Sequence, residues 1–249
     1  MSAAAAGARA SRRSLEIARR VQTADWARIA RDLDERGCAT ISALLHDEEC
    51  DALARSYTDD RLFRSRIVMS RHGYGRGEYK YFAYPLPGII QELRSEIYPR
   101  LVPVANRWHE AMRVDVRFPA THQEFLSRCH AAGQQRPTPL LLRYEAGDYN
   151  RLHQDLYGEH VFPIQVTILL SAPGRDFTGG EFVLTEQRPR MQSRAEVVPL
   201  ERGDAVLFAV SQRPVPGKRG PSRVTMRHGV SRIRSGARYT AGVIFHDAA

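Results

Sequence analysis

After Pro139 the chain changes texture, and that change limits its fold more than any other feature. Short runs rich in β-branched and aromatic residues follow one another: Leu140–Tyr144, Tyr149–His153, Val161–Leu170, Glu181–Thr185, Ala195–Pro199, Ala205–Val210, Arg223–Val230 and Arg238–Phe245. Gly, Pro, Asp and Asn separate them. Strands at this spacing indicate a sandwich, barrel or jelly roll. Before Pro139 the pattern is helical. Trp26, Ile29, Ala30 and Leu33 recur at helical spacing and Gly37 then stops the run. Ala39–Leu45 reads as a short strand, and Asp47 as the cap of a helix reaching Tyr57. Ile89–Met112 reads as helix broken near Pro99 and Pro103. Residues 70–88, punctuated by Gly73, Gly75, Gly77, Pro85, Pro87 and Gly88, read as loop. The expected class is therefore α+β, a β core in the C-terminal half with helices packed outside.

At 249 residues the chain can bury a sizeable core as a single domain. We expect a flexible Arg/Ala-rich arm over 1–24 and one domain over 25–249, with helical support from 25 to 138 and the β core from 139 to 247. No run approaches the ~18 apolar residues of a membrane span. Cys38, Cys50 and Cys129 are odd in number, far apart and without a C-x-x-C pair. That argues against a disulfide scaffold or a four-cysteine zinc site, and for a reducing, cytoplasmic compartment. The net charge of +9 favours polyanionic partners, nucleic acid first. All but Lys80 and Lys218 of the 37 basic residues are arginines, however, a bias that a GC-rich genome also imposes.

The sharpest local feature is His153-Gln154-Asp155. Residues i and i+2 of a strand share a face, so this imidazole and carboxylate can grip one cation. With nine histidines and 28 acidic residues such triplets also arise by chance, and His46-Asp47-Glu48 and His122-Gln123-Glu124 are two more. The first lies at a helix start and the second in a helical segment. Only the third has a strand context. A second histidine would complete a 2-His-1-carboxylate face that leaves positions open on Fe(II). His228 lies in a later strand. Arg238 follows ten residues on, with Thr240 on the same strand face, and a guanidinium beside a hydroxyl suits a carboxylate. Tyr144, upstream of the triplet, could add another hydroxyl, or it could be a core tyrosine. Arg232 and Arg234 are rival partners for a carboxylate, in the turn before the strand. His246-Asp247 reads as a polar strand end.

The ordered set His153-x-Asp155, His228, Arg238-x-Thr240 resembles the Fe(II)- and 2-oxoglutarate-dependent dioxygenases. Leu142–Tyr149 is similar to their Tyr-x-x-Gly run. Thr178-Gly-Gly-Glu-Phe182 and Gly203–Phe208 resemble glycine-containing strands of the prolyl hydroxylase branch, and Arg143–Asp155 is similar to the AlkB-type nucleic-acid demethylases. The resemblance implies a double-stranded β-helix, or jelly roll, with Fe(II) held by His153, Asp155 and His228. It implies 2-oxoglutarate held by Arg238, assisted by Thr240 or Tyr144, and dioxygen as the other co-substrate. The implied reaction is hydroxylation of a C–H bond with release of succinate and carbon dioxide.

The primary substrate stays open between alkylated nucleic acid, a peptide and a small molecule. Ser70–Tyr84 interleaves Arg71, Arg76 and Lys80 with Tyr74, Tyr79, Tyr81 and Tyr84, the composition of a stacking, phosphate-contacting surface. Gln212–Arg227 carries Arg213, Lys218, Arg219, Arg223 and Arg227 with no acid. Both can also be solvated loops. The competing class is a non-enzymatic basic β-domain, which explains the charge but not the ordered ligand set.

Overall fold

The computed structural model describes residues 16–156, 158–217 and 220–249. The first fifteen residues of the expected arm lie outside the described residues. Residues 16–23 form helix α1, whose Ile17 and Val21 are fully buried in the core. Four further helices are α2 (Trp26–Arg36), α3 (Asp47–Ser56), α4 (Gly88–Ala111) and α5 (His122–Ala131). Asp25 caps α2 by accepting from the Arg28 N–H, and Gly37 ends it at φ 77°. The N-cap of α3 is His46 and not Asp47. Glu49 reaches back to accept from the His46 N–H at 2.8 Å, which leaves Asp47 inside the first turn.

Helix α4 corrects the expectation of a break. It runs unbroken through Pro99 and Pro103. Both prolines are exposed, so the carbonyls they orphan can meet water, while Ile97, Tyr98, Leu101 and Ala105 are buried on the other side. Packing of that apolar face outweighs the two missing hydrogen bonds.

Two antiparallel sheets stack to form the jelly roll. The larger has the order β1 (Cys38–Ile41), β11 (Ala205–Ala209), β7 (Ile164–Leu169), β14 (Ile233–Val243), β5 (Leu140–Glu145), β4 (Glu78–Phe82) and β2 (Phe63–Val68), with β8 (Phe177–Gly179) also on β14. The smaller has the order β10 (Arg194–Val198), β9 (Phe182–Gln187), β13 (Ser222–Val230), β6 (Tyr149–His153) and β3 (Gly75–Arg76), with β12 (Gln212–Val215) also on β13. Strand β7 shows how the layers sort side chains. Ile164, Val166 and Ile168 join the core shared with the helices, whereas Gln165 and Thr167 face a cavity between the sheets.

The N-terminal half is not helical support alone, because β1 to β4 come from it. Within the expected loop 70–88, Glu78–Phe82 pairs with both β2 and β5. The surrounding glycines and prolines hid a five-residue strand. Gln212–Val215 likewise pairs with β13 rather than forming a loop. Its Arg213 is buried, donating to the Asp34 and Glu35 carbonyls at 2.7 and 3.0 Å and pairing with Glu186. A basic residue expected on a surface instead caps the C-terminus of α2 and ties it to the smaller sheet.

His246-Asp247 is also more than a polar strand end. Asp247 is fully buried, 2.9 Å from Arg94 Nη2, and accepts from the Tyr84 hydroxyl at 2.8 Å. Arg94, on α4, further donates to the carbonyls of Ile244, Phe245 and His246. This cluster clamps the chain beyond β14 onto the helical layer. A buried ion pair supplied with enough hydrogen bonds offsets its desolvation.

Acid should loosen this end of the molecule. Burial pushes the His122 imidazole down to about 3 and that of His246 to about 4. The neutral His122 Nε2–H donates to the Phe245 carbonyl at 2.8 Å. Unfolded histidines take up protons below about pH 6.5 while these two resist, so stability is complete above that pH and falls as the pH drops toward the folded values. Urea unfolding should lose about 2 kcal/mol per histidine between about pH 6.5 and 5. In His122→Gln that slope should shrink by one histidine's share.

Candidate metal centre

The turn between β5 and β6 sets the geometry. Gly147 takes φ 91°, and Glu145 and Asp148 close the turn through the Glu145 N–H to Asp148 Oδ2 bond at 2.9 Å. The chain then runs back as β6 beside β13, where His153 stands directly opposite His228. Their ring centroids are 4.2 Å apart. Asp155 lies just past the end of β6, not on a continuing strand. Its Oδ1 is 3.4 Å from His153 Nε2 and its Oδ2 is 3.4 Å from His228 Nε2. One donor atom from each residue lies within 4.8 Å of the others, the only such cluster of His, Cys, Asp or Glu groups among the described residues.

Tautomer and charge suit a cation. His153 Nδ1 lies 2.7 Å from the Arg151 carbonyl, which fixes the proton there and turns the Nε2 lone pair inward. Burial opposes ionisation of Asp155, yet the two imidazoles hold its carboxyl well below the usual carboxylate range. Burial also opposes a charge on His153, but Asp155 wins and raises its pKa. Burial pushes His228 down despite the same carboxylate. An ionised carboxylate beside two imidazole Nε2 atoms, once those nitrogens are free of protons, is the donor set of a divalent transition metal, with Fe(II) among those it suits. His46 and His122 join no such cluster. His46 caps α3 and His122 is a buried core histidine, as their helical contexts imply.

Arg238 enters the same cavity from β14. It is 1% exposed, and its Nε and Nη1 have no hydrogen-bond partner. Burial brings the guanidinium down to about 10, which leaves it charged at neutral pH. Tyr144 stands opposite it in register, with a fully buried ring 5.8 Å from the guanidinium carbon and a hydroxyl that lacks a well-formed hydrogen bond. A buried cation short of hydrogen bonds calls for an anionic ligand. Gly180 makes its place. At φ 67° it has no room for a side chain, since a Cβ would lie 2.2 Å from Ile233 Cδ1 and 3.0 Å from Arg238 Cδ.

His153, Asp155, His228, Arg238, Thr240 and Tyr144 thus line one cavity of about 200 Å³. Arg232 and Arg234 are exposed and do not line it. Tyr79, one of the aromatics of Ser70–Tyr84, also lines it, as do Gln165, Thr167 and Asn150, which the sequence reading missed. A lone amide inside the apolar run 164–169 was the available signal for Gln165. At the mouth, Tyr74 lines the cavity while remaining 49% exposed, and His72 stacks on it at 5.3 Å. Arg71, Arg76 and Arg151 are exposed, whereas Lys80 is buried against Asp60. On the second basic segment Arg223 and Arg227 are exposed. Lys218 and Arg219 lie outside the described residues.

Residues 77–248 match the profile of the Oxygenase-NA family, described as "Oxygenase, catalysing oxidative methylation of damaged DNA". Uncharacterized proteins from two strains of Mycobacterium tuberculosis are each 50% identical to this chain over 168 residues, which is 68% of it and 72% of their own length. In structure the chain is similar to a prolyl hydroxylase from Trichoplax adhaerens in complex with a hypoxia inducible factor peptide fragment. There the TM-score is 0.57 and the identity 14%, over 92% of this chain and 90% of that one. It is also similar to an oxidoreductase of the 2OG-Fe(II) oxygenase family from Burkholderia pseudomallei, with TM-score 0.52 and 15% identity over 91% and 94%. At these identities the structural likeness concerns the fold. No helix among the described residues is long and apolar enough to cross a membrane.

The Gly180 packing predicts a steep cost for a single methyl group. Gly180→Ala should lose about 1–3 kcal/mol from the left-handed backbone and the clash with Ile233. Urea unfolding of the purified variant checks it, and an unchanged midpoint would show that the site does not depend on that clearance.

Proposed function

The chain belongs to the Oxygenase-NA family, and we propose that His153, Asp155 and His228 hold its iron while Arg238 receives the distal carboxylate of 2-oxoglutarate. The enzyme is a dioxygenase dependent on Fe(II) and 2-oxoglutarate, with dioxygen as its other co-substrate. Bound iron supplies the oxidising power that hydroxylates a C–H bond as 2-oxoglutarate is converted to succinate and carbon dioxide. The observation that carries the residue assignment is the convergence of three metal donors and one poorly satisfied buried arginine on a single cavity. In this reading Thr240 and Tyr144 offer hydroxyls at the arginine end. The Arg151 carbonyl keeps the His153 proton on Nδ1. The apolar walls formed by Leu140, Leu142, Phe182 and Ile244 exclude water.

For the primary substrate we favour an N-alkylated base in single-stranded nucleic acid. Hydroxylation of an N-methyl carbon gives a carbinolamine that breaks down to formaldehyde and the free base. Two things support this reading: the family description, and the half-exposed Tyr74 at the mouth, stacked on His72 near exposed Arg71, Arg76 and Arg151. Asp148, 3.8 Å from Arg76, tempers the charge there. An aromatic face with flanking arginines accepts a base by stacking and a backbone by charge.

Succinate and formaldehyde should appear together when methylated single-stranded DNA is supplied with Fe(II) and 2-oxoglutarate. His153→Ala, Asp155→Ala and His228→Ala should each fall to background; equal turnover in wild type and variants would remove the assignment. Tyr74→Ala should raise KM for DNA about tenfold or more. Binding of DNA should weaken with salt, and Arg76→Gln should reduce the slope of log K against log salt by about 0.7. Coupled succinate release with a prolyl peptide and none with methylated DNA would place the substrate in the peptide class.

A further inference from the structure

Gln165 is a misfit in β7. Every residue of Ile164–Leu169 is buried, and the others are apolar except Thr167, which also faces the cavity. Gln165 is 5% exposed, and its Oε1 has no hydrogen-bond partner. An unsatisfied amide in a central strand is destabilising, and an apolar side chain of the same length would pack there without that penalty. The residue is kept there for something other than packing, and its amide nitrogen is the donor it can offer to a ligand in the cavity.

The position of Gln165 identifies that ligand. It stands opposite Phe208 in the β7–β11 register, so the two side chains share a face. The Phe208 ring is in turn 4.6 Å from the ring of His228. Gln165 therefore lies at the metal end of the cavity. Arg238 lies toward the other end, because Gly242, four residues further along β14, is the partner of Thr167. A 2-oxo dicarboxylate spanning the cavity puts one carboxylate at Arg238 and the 2-oxo-carboxylate at the metal. The arginine end has a guanidinium and the hydroxyls of Thr240 and Tyr144. At the metal end Gln165 is a buried side chain whose amide nitrogen is able to donate.

We propose that Gln165 is a co-substrate-binding residue, donating its amide N–H to the carboxylate of 2-oxoglutarate that lies beside the metal. The proposal rests on the metal and Arg238 assignments made above. Each 2-oxoglutarate carboxylate is then met by side chains from a different part of the larger sheet, Arg238 on β14 and Gln165 on β7.

The test compares wild type with the near-isosteric Gln165→Met in the full chain. Metal-free Gln165→Met should melt at the same temperature as wild type or higher, because an unsatisfied amide has been removed. With Fe(II) and no oxygen, calorimetric titration with 2-oxoglutarate should show affinity weakened about tenfold or more. Titration with Fe(II) alone should be unchanged. Unaltered 2-oxoglutarate affinity overturns the proposal. So does a matching loss of Fe(II) affinity, which would make Gln165 a support for Asp155. A lower melting temperature without metal overturns it too, by showing that the amide serves the fold. If Gln165→Met does not fold, Gln165→Glu keeps the length and places a carboxylate against the co-substrate's own; full 2-oxoglutarate affinity in that variant would equally overturn it. A wild type that binds Fe(II) but not 2-oxoglutarate contradicts the underlying site assignment instead, so the two failures are distinguishable.

Discussion

A slip of one residue between β6 and β13 would turn His153 and His228 to opposite faces of the smaller sheet. Side chains alternate at every position, so the metal centre exists only in one register. The chain enforces it in several places. Gly229 lies so close to β6 that a Cβ would sit 2.7 Å from the Asn150 carbonyl, so the pairing tolerates no side chain there. The register shifts between the His228 and Val230 pairs, which marks the irregularity that re-aims the strand beside the site. Beyond β6, Gln154 donates its amide to the Met226 carbonyl at 2.9 Å and to Ser211 Oγ at 3.0 Å. Those bonds hold the segment that swings Asp155 toward both histidines.

The larger sheet supplies the complementary constraint. Strand β14 pairs with β5 on one side and β7 on the other, and beyond its end Arg94 and Asp247 fasten the chain to α4 and α5. Arg238, Thr240, Gly242 and Ile244 then face the cavity as one row, opposite Tyr144, Leu142 and Leu140 of β5. Helices packed on the outer side, through Ile97, Tyr98, Leu101 and Trp108, keep that sheet rigid while its inner side stays partly polar. Placing His153, His228 and Arg238 on paired strands rather than on loops is what fixes those groups relative to one another.

The site was legible because strand periodicity is local. Arg238 and Thr240 share one face by spacing alone, whereas Asp155, past the end of β6, reaches His153 through a turn of the chain that the i and i+2 spacing does not describe. The misreadings share a different cause. Pro99 and Pro103 read as breaks because the sequence does not show which helix face meets water. Glu78–Phe82 was hidden by glycines whose positive φ values build the turns around it. Arg213 and Asp247 looked like surface charges because their partners, Glu186 and Arg94, are distant in sequence. Tertiary partners decide the burial of a charge, and no window of the sequence contains them.

The deeply buried arginines differ in how many of their nitrogens find an acceptor. Every guanidinium nitrogen of Arg94 finds an acceptor, and both terminal nitrogens of Arg213 do. Arg238, as deeply buried, leaves two nitrogens without one. The same contrast holds between amides. Gln134 is used on both sides, accepting from the His160 N–H at 2.7 Å and donating to the Asp247 carbonyl at 2.6 Å, whereas Gln165 Oε1 has nothing. A folded chain tolerates unsatisfied buried groups only where something besides folding maintains them. Arg238 and Gln165 both line one cavity, with the metal donors between the same two sheets. At the arginine end an anionic group would supply the missing acceptors, and the stability forgone there would be recovered on binding it.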